Sequence, residues 1–351
     1  MGEDNKITIN DVAKAAGVSK GTVDRVLHNR GEVSAKSKEK VLRVIEDLGF
    51  KPNVYASLLA SRKTRKIVCL IPEFNPGDFW ELTDRGIAKG REEASKYSVS
   101  VVTVSYDQYD VESFIRACRA TLDEDPVGVV IAPMFSNETL KFVKELSDRG
   151  ICYVYIDSKL EEDGYLAYFG MQMYQSGYLC ADILTGGMDT DRINIIRIAR
   201  DKEGLSDPTY MRRAGFKDYI MEHCPGCEIN NVFIDPKDSD SIYDTLDNMF
   251  ADSPSKNIVM FNSRIHLVTD YLRQRNIAGC RVVGFDVLER NLSAMREGYV
   301  QFLIAQHSDQ QAVDAINSIV ETAILRRPLQ KRDNFTPMDI LNRLNCDYYF
   351  K

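Results

Sequence analysis

Polar and aromatic side chains that could hold a sugar-like molecule follow many of the apolar runs in the second part of the chain. Carboxylates and amides exchange hydrogen bonds with neighbouring hydroxyl groups, and a tryptophan offers a flat apolar face to the C–H side of a sugar ring. The members are Asn75, Trp80, Asp107, Asp157, Gln172, Asn262, Asp286 and Gln306. Because ligands of open α/β sheets bind beyond the carboxyl ends of the strands, the eight residues together predict a ligand site.

Each of these residues has a second interpretation when it is taken alone, because polar residues after a strand also cap helices or lie in solvated loops. For Trp80 the alternative is a core position at the start of the following helix, beside Phe79. Enzyme chemistry has little support, since the sequence has four histidines and contains no P-loop, G-x-G-x-x-G, H-E-x-x-H or G-x-S-x-G motif. We therefore expect a binding protein without catalytic residues, bound metal or cofactor.

The elements that must position these residues are ten short apolar runs from Lys66 onward, which alternate with amphipathic segments. The predicted strands begin at 67, 99, 127, 152, 166, 193, 229, 257, 281 and 300. The predicted helices lie at 82–96, 111–122, 138–149, 175–184, 210–222, 243–250, 266–275 and 310–325. Ten strands are too many for one ordinary core, so we expect two lobes, each a doubly wound parallel sheet.

The first fifty residues predict three short helices. Thr8 and Asp11 have the spacing of a capping box, Gly17 ends the first helix, and Ser19 and Ser34 cap the next two. The residues left on the exposed face of the second helix are Lys20, Gly21, Asp24, Arg25 and His28. Two helices across a tight turn, with donors on the second, favour a helix-turn-helix, although any three-helix microdomain with a basic face shows the same pattern.

Charge is divided unevenly along the chain. The net charge is +6 through Lys66 and −13 beyond it, which gives −7 in total. A basic head suits the phosphates of a nucleic acid, whereas an acidic body does not. The N-terminal residues contain no apolar stretch typical of a secretory signal, and no window is apolar enough to cross a membrane, so we expect a cytoplasmic protein.

The eight cysteines are scattered, and four of them, Cys69, Cys118, Cys152 and Cys180, lie inside apolar patterns. This distribution predicts small buried side chains rather than disulfides. Cys224 to Cys227 has the spacing of a redox motif, but its Pro-Gly pair follows a predicted helix and is typical of the end of one.

The segment "TINDVAKAAGVSKGTVDRVLHN" resembles the DNA-binding headpiece of the lactose-repressor/galactose-repressor (LacI/GalR) family of bacterial transcription regulators. The similarity continues through "VSAKSKEKVLRVIEDLGFKPN" into "VYASLLASRKT" and covers about the first 65 residues. It implies base reading by Lys20, Gly21 and Arg25, with Asp24 at a position where the family has Ser. The implied DNA contacts are Ser19, Lys20, Gly21, Thr22, Asp24, Arg25, Asn29, Asn53 and Leu59.

Between the headpiece and the body, Asn53 is a candidate cap for a helix from Val54 to Ala60. So short a helix is unstable alone in water and needs a partner. In the family that partner is DNA, where the hinge helices of a dimer meet in the minor groove and a leucine wedges into a base step. Leu59 matches that leucine, and the alternative is an apolar patch in a linker.

The body resembles the type I periplasmic-binding-protein fold with which the same family senses its effectors. "NPGDFW" is similar to an Asn-Pro-aromatic-aromatic signature with two residues inserted, and "YMRRAGF" matches an Arg-x-x-Gly-Phe element that places Arg212 at the ligand. The implied effector set is Asn75, Phe79, Trp80, Asp107, Asp157, Gln172, Arg212, Asn262, Asp286 and Gln306. Two residues depart from the family pattern. The family usually has Asp where this chain has Ser263, and Asp or Asn where it has Gln172, so the resemblance does not fix the identity of the ligand.

These observations predict a small all-α helix-turn-helix headpiece at residues 1–51, a hinge helix and linker at 52–65, and a two-lobed α/β effector-binding and dimerisation domain at 66–351. The expected function is sequence-specific transcriptional regulation by a homodimer on double-stranded operator DNA. A small ligand, a sugar or a related polyol or nucleoside, would control the DNA affinity. The alternative is a solute-binding receptor or sensor without DNA regulation.

Overall fold

The computed structural model describes residues 7–27, 32–50, 64–187, 190–198, 209–252 and 255–349. Internal contacts divide the chain into two units, Met1–Arg62 and Lys63–Lys351. The predicted linker residue Arg65 is already the first residue of a strand in the second unit. The rest of the predicted hinge segment, from 52 to 63, lies outside the described residues.

The first unit contains the three predicted helices, α1 (Ile9–Ala16), α2 (Lys20–Leu27) and α3 (Ala35–Asp47). The capping box is confirmed, since the Thr8 N–H donates to Asp11 Oδ2 at 2.8 Å. The hydrogen bonds that Asp11 accepts from Thr8 lower the pKa of its carboxyl group. Gly17 ends α1 with φ at 65°, a left-handed conformation that favours glycine. Val12, Val23 and Val41, one from each helix, are fully buried and form the centre of the small core.

The second unit contains two six-stranded sheets, one in each lobe. The first lobe begins with β1 (Arg65–Pro72), α4 (Phe79–Ser95), β2 (Val99–Tyr106), α5 (Val111–Asp123), β3 (Gly128–Ile131), α6 (Ser136–Asp148), β4 (Cys152–Asp157) and β5 (Ala167–Gly170). The second lobe has α7 (Met173–Thr185), β6 (Arg192–Ile198), α8 (Tyr210–His223), β7 (Glu228–Ile234), α9 (Ser239–Asp252), β8 (Asn257–Met260), α10 (His266–Gln274), β9 (Arg281–Phe285), α11 (Glu289–Arg296) and β10 (Phe302–Ala305). After β10 come α12 (Ser308–Ile319), a π-helical turn (Val320–Ile324), β11 (Asp333–Phe335), β12 (Asp339–Leu341) and a 3₁₀ turn (Cys346–Tyr348).

The two sheets have matching strand orders, β11-β5-β4-β3-β1-β2 in the first lobe and β12-β10-β9-β8-β6-β7 in the second. Consecutive residues of β9 show that both faces of a sheet are covered, because Val282 and Val283 are fully buried in separate apolar clusters. The expected doubly wound architecture is therefore confirmed.

Over its described residues, this unit crosses between the lobes three times. It crosses after β5 at Gly170, after β10 at Ala305, and after β11 at Phe335. As a result, α12 packs on α4 and on strands β3 to β5 of the first lobe, although it follows a strand of the second. The last two strands complete both sheets, since β11 pairs in parallel with β5 and β12 pairs in antiparallel fashion with β10.

Several predicted elements need correction. Helix α4 begins at Phe79 rather than 82, so Phe79 and Trp80 belong to its first turn. The continuous helix predicted to 325 ends at Ile319 and goes on as the π-helical turn. Helix α11 and the short strands β11 and β12 were not predicted. All eight cysteines lie in the described part and are free, and Cys224 follows the last residue of α8, as expected of a helix end.

Candidate functional sites

A cavity of about 100 Å³ lies where the carboxyl ends of the strands in the two lobes face each other. Its wall combines the first turn of α4 and the end of β4 with α8 and the ends of β8, β9 and β10. The structure brings together seven of the ten predicted effector residues in this wall: Phe79, Trp80, Asp157, Arg212, Asn262, Asp286 and Gln306.

The other three predicted residues are exposed and do not line this cavity. The main-chain N–H of Asn75 donates to Asp78, and Asp107 Oδ1 accepts from the Tyr109 N–H at 2.8 Å. Gln172 caps α7, because its Oε1 accepts from the Gln175 N–H at 2.7 Å. For these three the local bonds are those of turns and helix caps, the second interpretation raised by the sequence.

Arg212 is the most deeply placed cation of the cavity, with 5% of its side chain exposed. Its Nη1 donates to the Phe261 carbonyl at 2.8 Å, and the guanidinium lies 4.4 Å from the centre of the Phe285 ring. Its Nη2 reaches Gln306 Oε1 at 3.4 Å. Its Nε is buried and has no acceptor among the described atoms.

Gln306 connects this arginine to Asp286, because its Nε2 donates to Asp286 Oδ1 at 2.8 Å. Burial raises the pKa of Asp286 to about 7, and the negative charge of Asp157 adds to the effect, whereas Arg212 and the bond from Gln306 oppose it. The carboxyl group therefore changes its protonation near neutral pH.

Asp157 and Asp286 occupy equivalent places, one residue at the end of β4 and the other directly after β9. Both have left-handed backbone conformations, with φ at 63° and 68°. Such conformations cost a non-glycine residue roughly 1–3 kcal/mol and persist only where the surroundings enforce them. Asp adopts left-handed backbone conformations more readily than most residue types, which is consistent with Asp at both positions.

Trp80 has only 5% of its surface exposed and meets Phe79 edge-on, with ring centres 5.0 Å apart. It is therefore a packed residue of the first turn of α4 that also lines the cavity. The two interpretations of the sequence are compatible in this position. Stacking of Trp80 on a ligand stays a prediction.

Sequence reasoning missed part of the wall, namely Asp78, Gln108, Met134, Met173, Ile198, Thr209, Arg264, His266 and Leu288, and it noted Ser263 only as a departure from the family. The available signal was position, since Ser263 and Arg264 directly follow the predicted Asn262. His266 begins α10 and contacts Asn291 through Nδ1 at 3.3 Å. Burial lowers its pKa to about 4, so the ring is neutral at physiological pH.

The separate first unit presents the second candidate site. Four of the predicted DNA contacts, Ser19, Lys20, Gly21 and Arg25, are exposed on or just before α2, and Thr22 and Asp24 are half-buried. Ser19 Oγ accepts from the Thr22 N–H at 3.1 Å and so caps the helix whose face carries the two cations. His28, Asn29, Asn53 and Leu59 lie outside the described residues.

None of the helices in the described ranges is long and apolar enough to span a membrane.

Comparison with known families gives two matches along the chain. Residues 8–53 match the family "Bacterial regulatory proteins, lacI family", and residues 67–324 match the "Periplasmic binding protein domain" family. The second match covers most of the chain and runs from β1 to the π-helical turn.

Individual relatives agree with these matches. The chain is 32% identical over 148 residues to the HTH-type transcriptional regulator DegA of Bacillus subtilis, which is 42% of each chain. It is 28% identical over 215 residues to the sucrose operon repressor of Pediococcus pentosaceus, 61% of each chain. The match thus spans about two fifths of the length of DegA and three fifths of the length of the sucrose repressor.

A solved structure provides the fuller overlap. A protein of Bacteroides fragilis assigned as a LacI transcriptional regulator superposes with a TM-score of 0.77 at 32% identity, over 82% of this chain and 100% of that one. With the lacI match in its helix-turn-helix unit and the periplasmic binding protein domain in its two-lobed unit, the chain belongs to the LacI family of bacterial regulatory proteins.

Proposed function

We propose that the protein is a sequence-specific DNA-binding transcriptional regulator whose affinity for operator DNA is controlled by a small ligand, most simply a sugar. The observation that carries the proposal is the combination, in one chain, of a helix-turn-helix unit with exposed cations on α2 and a two-lobed unit with a polar cavity. In the helix-turn-helix class the second helix enters the major groove with its N-terminal residues toward the bases.

The chemistry of α2 supports DNA as the partner. Lys20 and Arg25 are exposed on this helix and can donate hydrogen bonds to phosphates and base edges. An arginine can donate two hydrogen bonds to the edge of a guanine. The names of the relatives support regulation, since DegA is called a transcriptional regulator and the Pediococcus pentosaceus protein a sucrose operon repressor. We infer that this protein acts in the cytoplasm, where its DNA partner is found.

The cavity supports a polyhydroxylated ligand. Asn262, Asp286, Gln306 and Arg212 supply both donors and acceptors at its wall, and Trp80 supplies an apolar face. The ligand would act by favouring one arrangement of the two lobes. A homodimer would then carry the change to the hinge segments beside the DNA. The ligand shifts the equilibrium only by the difference in its affinity for the two forms.

A binding-site selection with randomised duplex DNA tests the proposal. The wild-type protein should enrich one sequence, and Arg25→Gln should lose roughly 1–3 kcal/mol of discrimination at one base pair. Arg43→Gln is the matched control, because Arg43 is an exposed arginine of α3 in the same unit. If no sequence is enriched while the second unit binds its ligand tightly, the protein is a solute receptor rather than a DNA-binding regulator.

A further inference from the structure

Arg264 is a cation of the cavity wall that the family resemblance did not point to. It follows β8 in a turn that Asn262 shapes, since Asn262 Oδ1 accepts from the Arg264 N–H at 3.0 Å. The side chain is half-buried and lines the cavity. Its guanidinium lies 6.0 Å from the centre of the Tyr109 ring, and no carboxylate in the described part of the chain forms an ion pair with it.

Arg212 presents a second guanidinium to the same space, and its hydrogen bonds to the Phe261 carbonyl and to Gln306 go to neutral groups. Its donors go to the Phe261 carbonyl and to the amide of Gln306, so Asp286 is connected to it only through that amide. The Nε atom is buried without an acceptor. Among the described residues no carboxylate pairs directly with this guanidinium, so a bound carboxylate would give it a direct anionic partner.

The acidic groups facing the cavity do not cancel these two arginines. Asp286 is fully buried and is half-protonated near neutral pH. Asp78 lines the cavity from the first lobe, where it accepts the Asn75 N–H at 2.9 Å. Asp157 belongs to the first lobe, opposite the arginines. The second-lobe face of the cavity is therefore positive, and the first-lobe face carries the carboxylates of Asp78 and Asp157.

We propose that the ligand is a polyhydroxy acid of the uronate or aldonate class, with its carboxylate against the guanidinium groups of Arg264 and Arg212, and its hydroxyls toward Asp157. A planar carboxylate matches a guanidinium with two parallel hydrogen bonds, which a neutral hydroxyl group does not provide. This assignment rests on the proposed function, because it names the ligand class of the same cavity.

Matched pairs of acid and parent sugar test the proposal on the full chain. Titration calorimetry and thermal unfolding are run with D-galacturonate, D-glucuronate and D-gluconate against D-galactose and D-glucose at equal concentrations. A ligand that binds the folded state raises its melting temperature, and at equal concentration a tighter ligand raises it more. At least one acid should bind 10-fold or more tightly than its parent hexose.

Two variants test where the carboxylate of the acid binds. Arg264→Gln should weaken binding of the acid at least 10-fold. Arg149→Gln should leave the affinity for the acid unchanged, because Arg149 forms an exposed ion pair with Glu145 on α6. The proposal is overturned by a parent hexose that binds as well as its acid, by binding of hexose phosphates alone, by no shift with any of the three acids, or by normal acid affinity after Arg264→Gln. A neutral hexose that binds as tightly as its acid and also changes DNA affinity would leave the proposed function intact while removing this inference.

Discussion

Gln311 accepts a hydrogen bond from the main-chain N–H of Asp157 through its Oε1, at 3.2 Å, and so connects a residue of α12 to a residue of the cavity wall. The Nε2 of the same side chain donates to the Gln306 carbonyl at 2.7 Å and to Thr336 Oγ1 at 3.3 Å. Gln306 lies at the second crossing between the lobes and Thr336 at the third. The Thr336 N–H donates to Gly170 at the first crossing. One buried amide thus connects the cavity wall with the segments about which the lobes would turn.

Replacing Gln311 by leucine should therefore affect both stability and binding. It removes the Oε1 acceptor that faces the Asp157 N–H and the Nε2 donor to the buried Gln306 carbonyl, and a buried group left unsatisfied costs about 1–3 kcal/mol. Chemical unfolding should show the loss, and ligand affinity should fall because Asp157 loses its support. Gln310→Leu is the control, since Gln310 is exposed and its side chain bonds, within the described ranges, only to Asp314 on its own helix. Equal stability of the two variants would show that the buried amide has no such role.

The raised pKa of Asp286 predicts a pH dependence of stability. The folded state holds the proton up to about pH 7, whereas the unfolded chain releases it near the ordinary value of 3.8, so ionisation costs folding free energy as pH rises through this window. Asp286→Asn removes the cost and keeps an acceptor for Gln306. The variant should gain about 1.4 kcal/mol over the wild type for each pH unit between 4 and 7, and nothing further above that.

The comparison with the variant is needed because His266 acts in the opposite direction. Its pKa is lowered to about 4, so its contribution to stability is lost as pH falls below its ordinary value of 6.5. The difference between variant and wild type cancels that contribution. A difference that is flat from pH 4 to pH 8 in urea unfolding would show that Asp286 ionises normally.

Trp80 is the single tryptophan of the chain, so its emission reports on the cavity alone. Ligand that reaches the wall should shift this emission with the affinity that calorimetry gives. Truncation to alanine is a poor test, because removing so large a buried side chain costs about 3–5 kcal/mol of stability. Trp80→Phe keeps most of the packing and should weaken binding by a few-fold to tenfold. Unchanged emission at saturation would place the ring in the core only.

Gly177 of α7 allows the close approach of α8. A Cβ at this position would overlap the Arg212 carbonyl, and one at Gly215 of α8 would overlap that of Tyr174. Gly177→Ala should displace the turn of α8 that carries Arg212 and so weaken ligand binding. It should also destabilise the second unit by roughly 1–3 kcal/mol. Gly226→Ala is the control, since nothing lies within 4 Å of the atom it would add. Normal ligand affinity after Gly177→Ala would show that α8 adjusts without moving its arginine.

Long apolar runs such as β1 and β9 could be predicted from the sequence because parallel strands covered on both faces have little choice of residue type. The seven cavity residues were recognisable because strand ends and family motifs fix their positions. Helix α11 could not be predicted, because it is short and weakly apolar. Strands β11 and β12 have three residues each, and they exist only through pairing with strands far away in the sequence.

The remaining site residues depend on tertiary contacts that local patterns do not contain. Asp107 and Gln172 follow strands as Asp157 and Asp286 do, yet they make local turn and cap bonds outside the cavity. The neutral state of His266 arises from burial, and the ring contacts Asn291, a residue 25 positions away along the chain. Which polar residues meet is decided by how the lobes pack, and that information is spread over both sheets.

The third crossing has a consequence for how the protein is made. Strand β11 covers the edge of β5, where the Tyr168 N–H donates to the Arg332 carbonyl, and β12 covers the edge of β10. The ribosome must therefore synthesise more than 330 residues before the sheet that contains β1 is complete. Until then the open edge of β5 is a template on which neighbouring nascent chains can pair. Slow release of the final segment would thus favour aggregation of polypeptides whose earlier parts are correctly folded.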